Sequence, residues 1–203
     1  MTGAAKNMDA GMEAVVVRRA LRGDRSATRQ LVDAHKDRLF AFIRRMIRNH
    51  HDAEEICQEA FLKAFASLDS YRSEFRFSTW LFTIGYRVCL NWMRRKRALT
   101  GDLDLGALAP SVDDAESVSL ESEAVARMKD LIWSTVDSLS PPQRATVLLF
   151  YRHEESCQTI SEILDLPVAT VKSHLHRARA KLRTLLEPIA AREGLGKICN
   201  LAG

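Results

Sequence analysis

The 203-residue sequence has no run of about 18 apolar residues and no charged-then-apolar opening. Neither a membrane span nor a secretory leader is expected, and a soluble, cytoplasmic protein is. Its cysteines, at 57, 89, 157 and 199, form no C-x-x-C pair, so neither a zinc nor a disulfide framework is supported. Nine glycines and five prolines are too few for an all-β chain full of tight turns. Catalytic constellations are missing as well. There is no Gly-rich phosphate loop, nucleophile elbow or paired-carboxylate motif. The histidines, at 35, 50, 51, 153, 174 and 176, offer no ligand set at i, i+4 spacing. They are expected at the surface, with His174 and His176 as candidate DNA contacts. No enzyme activity, cofactor or metal site is expected.

What is present is charge, unevenly spread. Residues 1–97 carry 19 Lys and Arg against 11 Asp and Glu. Residues 98–126 carry no base and 7 acids, and residues 127–203 carry 11 bases and 8 acids. The acidic stretch has turn formers, a Pro and no aromatic, which suits a linker. Two basic segments around it suggest two small domains that handle a polyanion. A basic face that is merely solvated fits the charge equally well.

Nearly everything outside the linker has helical period. A short helix precedes Gly23. A long one, about Ser26 to Arg48, carries Leu31, Leu39, Phe42, Ile43, Met46 and Ile47. From Asp52 to Leu68 one stripe holds Ala53, Ile56, Cys57, Ala60, Phe61, Ala64, Phe65 and Leu68. Asp52, with Glu55 three later, is the expected cap. Ser78 is expected to cap a helix carrying Trp80, Leu81, Ile84, Val88 and Trp92, which ends in the basic run 94–97. In the second half, Val125 to Leu139 form one stripe, and Pro141-Pro142 opens the next helix. A short helix spans about Gln158 to Leu164, and a last one about Val168 to Leu186, ending near Pro188.

Two constellations carry chemistry. Ile160, Ile163 and Leu164, the turn Asp165-Leu166-Pro167, then Val171 and Leu175, make the core pattern of a helix-turn-helix. From Leu166 to Leu186 there is no acidic residue, so this helix suits a major groove. The alternative is an ordinary amphipathic hairpin with a solvated basic face. The second constellation is aromatic. Of 14 Phe, Tyr and Trp, 7 lie between Tyr71 and Trp92, interleaved with arginines. Stacking of unpaired bases on such rings, with cations alongside, holds single strands. Several of these rings also fit a core, Trp80 and Phe82 above all.

Three strings, in order, resemble a known family. DAEEICQEAFLKAFASLDSYR resembles the region 2 core of bacterial sigma factors. FSTWLFTIGYRVCLNWMRRKR resembles their −10 segment. LSPPQRATVLLFYRHEESCQTISEILDLPVATVKSHLHRARAKLRTLL resembles their region 4, which reads the −35 element. The short linker resembles the extracytoplasmic-function class. The resemblance implies an all-α chain: a region 2 helical bundle and a region 4 helix-turn-helix joined by a flexible acidic linker. The expected limits are 1–24 for an N-terminal segment with a first short helix, 25–97 for region 2, 98–126 for the linker, 127–187 for region 4 and 188–203 for a tail.

The same resemblance implies the work. Such a protein binds core RNA polymerase, recognises −35 and −10 promoter elements and opens the DNA, without catalysis of its own. Glu54, Glu55, Gln58 and Glu59 would face the polymerase clamp. Phe75, Arg76, Phe77, Trp80, Arg87, Asn91, Arg94, Arg95 and Lys96 would bind and melt the −10 strand. Lys172, Ser173, His176 and Arg177 would face −35 bases, with Arg179, Lys181 and Arg183 on or near phosphate. An anti-sigma partner is implied; membrane insertion is not. The chain departs from the family where Arg87 and Asn91 stand at positions that commonly face the −10 strand. Thr159, Ser161 and Asp165 stand in place of a common Glu, Ala and Gly. Two other readings remain. One is a two-domain regulator, with a sensing N-terminal half and a helix-turn-helix; it leaves the 71–97 stretch unexplained. The other is a helical interaction protein, which explains neither basic segment.

Overall fold

The computed structural model describes residues 9–100 and 123–192. Among these, all regular elements are helical. They run α1 (Ala10–Leu21), α2 (Arg25–Ile47), α3 (His50–Ala66), a 3-10 turn at Leu68–Ser70, α4 (Phe77–Thr100), α5 (Glu123–Asp137), α6 (Pro141–Tyr151), α7 (Cys157–Leu164) and α8 (Val168–Arg192). The chain divides into two compact units, the first centred on α1–α4 and the second on α5–α8.

In the first unit, α2, α3 and α4 pack together and α1 closes the bundle against α2 and α4. The expected limit at residue 25 therefore falls inside this unit. Val16, Val17 and Ala20 put α1 into the same core as Leu31, Leu39, Phe42 and Ile43. Gly23, at φ +85°, makes the turn between α1 and α2, a conformation costly for residues with a Cβ. Asp24 then caps α2, accepting from the backbone N–H of Ser26 at 2.8 Å and of Ala27 at 3.2 Å. The hydrogen-bonded Arg19 guanidinium and these N–H groups hold its carboxyl below the usual range.

Local expectations are corrected at the helix caps, along α4 and at the end of α8. The cap of α3 is Asn49, whose side chain accepts from Asp52 N–H at 3.0 Å; Asp52 lies in the first turn, where its charge still suits the dipole. Ser78 is also inside its helix, and buried. The inward stripe of α4 is Phe77, Leu81, Phe82, Tyr86, Val88 and Cys89, while Trp80, Ile84 and Trp92 stay partly exposed. The reason is tertiary: α4 is buried against α2 as well as α3, so its apolar face is wider than one helical stripe. Gly85 marks the closest approach, since a Cβ there would come within 2.8 Å of Leu39 Cδ1. The last correction is that α8 continues through Pro188 to Arg192. A proline one turn from a helix end removes a single hydrogen bond there.

Cys57 and Cys89 are buried and free. Burial pushes the Cys57 thiol up to about 11 and raises that of Cys89 further, so both serve as small apolar core groups. Burial likewise raises Tyr86 to about 12.

In the second unit Val136, Leu139, Val147 and Ala178 form a core with Trp133 packed against it. Pro141 and Pro142 open α6, and the Gln143 side chain accepts from Ser140 N–H at 3.4 Å. The buried Arg144 donates to the Asp137 and Leu139 carbonyls, closing the end of α5. The expected linker lies mostly outside the described residues. Its flanks, 98–100 and 123–126, are the helical ends of α4 and α5. Residues 1–8 and 193–203, with Cys199, also lie outside.

Candidate nucleic-acid interface

The segment between the 3-10 turn and α4 is non-helical over 71–76. The Tyr71 hydroxyl donates to the Phe75 carbonyl at 2.6 Å, and the Tyr71 ring packs on Phe77 and Trp80, at 5.8 and 5.5 Å between centroids. This ties the loop into a tight arc. Phe75 is 44% exposed at its tip, a high value for a large aromatic. Arg72 and Arg76 are exposed beside it. Phe77, expected at the same surface, is fully buried against His35 and Trp80. It is a core residue; the helix begins there, and its first turn carries the ring inward.

On α4, Arg87 is exposed and Asn91 half-buried one turn on, on one face as their spacing requires. Arg94 donates to the Asn91 side-chain oxygen at 2.6 Å. Arg95 lies 3.8 Å from Glu59 and Lys96 3.3 Å from Asp52. The Lys96 ammonium also sits 4.4 Å from the centre of the Trp92 ring. The basic run is thus strapped to α3 by surface ion pairs worth at most about 1 kcal/mol each. That is weak enough to be exchanged for a polyanion.

The outer face of α3 exposes Glu54, Glu55 and Gln58, with Glu59 half-buried. Glu54 pairs with His50 at 3.2 Å, Glu55 with His51 at 3.4 Å, and Glu59 with Lys63 at 2.7 Å. Leu62, one turn beyond Gln58 and Glu59, is 71% exposed. Sequence reasoning missed this residue, although its place off the inward stripe was the available signal.

In the second unit the Ser156 hydroxyl accepts from Thr159 N–H at 3.0 Å at the start of α7. The turn after α7 has Asp165 at φ +55°; an aspartate adopts this left-handed backbone more readily than most residues. The Ser161 hydroxyl donates to the Leu166 carbonyl at 2.5 Å. A serine at 161 thus fastens the turn, which an alanine there has no hydroxyl to do. On α8, Val171, Leu175 and Ala178 point inward. Lys172, His176, Arg177 and Arg183 are exposed and Ser173 half-buried. Arg179 donates to the Tyr151 hydroxyl at 2.6 Å and lies over the Phe150 and Tyr151 rings. Lys181 donates to the Ser138 hydroxyl at 2.7 Å. These two cations brace the unit against α6 and the residue that follows α5, through exposed hydroxyl contacts. The stripe positions of α8 are filled by its core, so cations flanking that stripe fold over the neighbouring helices.

The histidines are not all superficial. His35 and His153 are buried. His174 lies 3.4 Å from the Thr146 hydroxyl, and burial, with Arg177 nearby, lowers its pKa. Both effects favour its uncharged form. Among the described residues no group of His, Cys, Asp and Glu is placed to hold a metal ion. No helix among them is long and apolar enough to cross a membrane.

Residues 31–99 match the family model for sigma-70 region 2, and residues 129–182 match that for sigma-70 region 4. The chain is 32% identical to the ECF RNA polymerase sigma factor SigW of Bacillus subtilis over 185 residues, covering 85% of this chain and 96% of that protein. The chain belongs to the ECF RNA polymerase sigma factors. Solved structures match most of the length of this sigma factor. CnrH in complex with the cytosolic domain of CnrY superposes with a TM-score of 0.65 at 25% identity, over 89% of this chain and 99% of that one. The sigma factor RpoE of Bartonella quintana, in complex with the anti-sigma factor NepR, gives 0.64 at 27% identity, over 78% and 96%. The protein is an alternative sigma factor acting in promoter recognition at transcription initiation, and its role is non-enzymatic.

Proposed function

We propose that the two units divide promoter recognition between duplex reading and strand capture. The observation that carries this is the pairing of two unlike surfaces in one chain. One is a helix that carries no carboxylate from Val168 to Leu186 and exposes Lys172, His176 and Arg177. The other is an aromatic loop exposing Phe75 beside Arg72 and Arg76. On this reading region 4, about residues 127–187, lays α8 in the −35 major groove. Lys172, Ser173, His176 and Arg177 face the bases and Arg183 the phosphates. Region 2, with α1 added to the expected 25–97, takes the unpaired −10 strand on Phe75, Arg76 and Trp80, with Arg87, Asn91, Arg94, Arg95 and Lys96 along it.

A bidentate arginine contact to guanine discriminates by about 1–3 kcal/mol. Arg177→Ala is therefore expected to flatten the ranking of variant −35 sites. Arg183→Ala is expected to weaken every site alike and lower the salt slope by about one. Titrations of a panel of −35 duplexes at several salt concentrations separate the two. An unchanged ranking with Arg177→Ala would remove that side chain from base contact. Specific initiation on adding the protein to core polymerase alone distinguishes a sigma factor so built from a regulator that needs another sigma subunit.

The outer face of α3, with Glu54, Glu55, Gln58, Glu59 and Leu62, is assigned to the polymerase clamp. Its acids are held only by exposed pairs, which a cationic partner displaces at little cost. Glu59→Lys is expected to weaken capture by core polymerase while the thermal midpoint moves by only a few degrees, since it loses two surface pairs. Equal retention of variant and wild type on immobilised core polymerase would take α3 out of the interface. The site of action is the cytoplasm, where the polymerase is. An anti-sigma protein is the expected inhibitor, as the complexes of the two structural relatives suggest.

A further inference from the structure

The start of α4 is fastened by a residue from the far end of the unit. Glu13, on α1, is 2% exposed. Its Oε2 accepts from the Phe77 backbone N–H at 3.1 Å, and its Oε1 lies 3.1 Å from His35 Nε2. Phe77 is the first residue of α4, so this N–H is one of the donors that no intrahelical carbonyl can satisfy. Local side chains normally do this work. Here the neighbouring Ser78 is inside the helix, and a buried carboxylate 64 residues away does it instead. A carboxylate at a helix N-terminus has the right charge for the dipole, and burial strengthens the bond.

What hangs on Phe77 is the strand-capturing loop. Residues 71–76 end at it. Tyr71 packs on the Phe77 ring, and through its hydroxyl Tyr71 holds the Phe75 carbonyl. A chain of contacts therefore runs from Glu13 to Phe77, to Tyr71, to the carbonyl of the exposed Phe75.

We propose that Glu13 is a positioning residue for promoter opening: it fixes the start of α4 so that the 71–76 loop presents Phe75 in the geometry that receives an unpaired −10 base. This rests on the assignment of that loop to the −10 strand. α1 is thereby a working part of the melting apparatus through Glu13. The base must be unstacked before the loop can hold it, so a loop that has to be ordered at that moment loses opening and leaves closed-duplex binding intact.

The test uses the full chain with core RNA polymerase on a promoter carrying both elements. Glu13→Met keeps a long, buried, helix-favouring side chain and removes the acceptor. Glu13→Gln keeps an acceptor for Phe77 N–H and an amide that can donate to a neutral His35. Val17→Ala, in the α1 core, loosens the helix without touching the cap. Glu13→Met is expected to lower permanganate reactivity of −10 thymines by about tenfold, the scale of one charge-assisted hydrogen bond, at unchanged −35 binding. Glu13→Gln is expected to restore most of it, and Val17→Ala to open normally.

Wild-type opening by Glu13→Met overturns the proposal. So does an equal opening loss in Val17→Ala, which would make the effect one of stability alone. Hydrogen exchange decides even if Glu13→Met does not fold. In the wild type the Phe77 amide is expected to be as protected as the α4 interior, and rapid exchange there sinks the proposal. Phe75→Ala serves as the reference. If it opens normally, the loop assignment itself fails. If it is defective while Glu13→Met is not, only the role of Glu13 falls.

Discussion

Phe77→Ala is expected to destabilise the first unit by about 3–5 kcal/mol, the cost of emptying a fully buried phenylalanine site. The ring has no exposed surface and is packed by His35, Tyr71 and Trp80. Its removal also loosens the first turn of α4, which the Glu13 carboxylate holds. Small domains have roughly 5–15 kcal/mol in all, so this variant sits near unfolding. A urea titration followed by circular dichroism reads the effect directly. Phe75→Ala, two residues away and exposed, is expected within about 0.5 kcal/mol of wild type, as surface changes usually are. A Phe77→Ala protein as stable as Phe75→Ala would return Phe77 to the DNA surface.

Phe75→Ala and Asn91→Ala are expected to bind the closed −35 duplex normally and to fail in opening the −10 element. Each base stacked on an aromatic contributes about 1–3 kcal/mol, while extrusion costs a few kcal/mol. Losing the stacking partner therefore tips a nearly balanced equilibrium by roughly one to two orders of magnitude. Asn91 offers both a donor and an acceptor for a base edge. Its oxygen is held by Arg94 at 2.6 Å, which leaves the amide hydrogens to read an acceptor. Permanganate reactivity of unpaired thymines is the readout. A pre-melted template is expected to rescue both variants, because the cost of unpairing has then been met. Normal opening by both would remove the loop and Asn91 from strand capture.

Helical period and stop signals were enough to locate the helices to within a few residues, except at the end of α8, which runs on through Pro188 to Arg192. Gly23, the Pro141-Pro142 pair and the turn at Asp165 each act through local backbone preference, which needs no tertiary partner. The stretch from Leu166 to Leu186 without a carboxylate was likewise legible, because charge composition does not depend on packing. The strings carrying the family resemblance are linear too.

What the sequence by itself determined, then, was the helical class, the order of two basic segments around an acidic one, and the family. Which side of each ring and cation faces water was decided only in three dimensions. Phe75 and Phe77 stand two apart in one aromatic-basic stretch, yet one is exposed and the other core, because α4 begins between them and turns the second inward. Arg179 and Lys181 carry the same charge as Lys172 and Arg177, but their donors meet the Tyr151 and Ser138 hydroxyls. Leu62 lies on the face opposite the stripe of α3 and is left exposed. The cap of α4 was the least visible feature, since Glu13 meets Phe77 N–H only after α1 has packed across the bundle. A buried polar group must find a partner wherever the fold brings one, and no local spacing rule reaches across 64 residues.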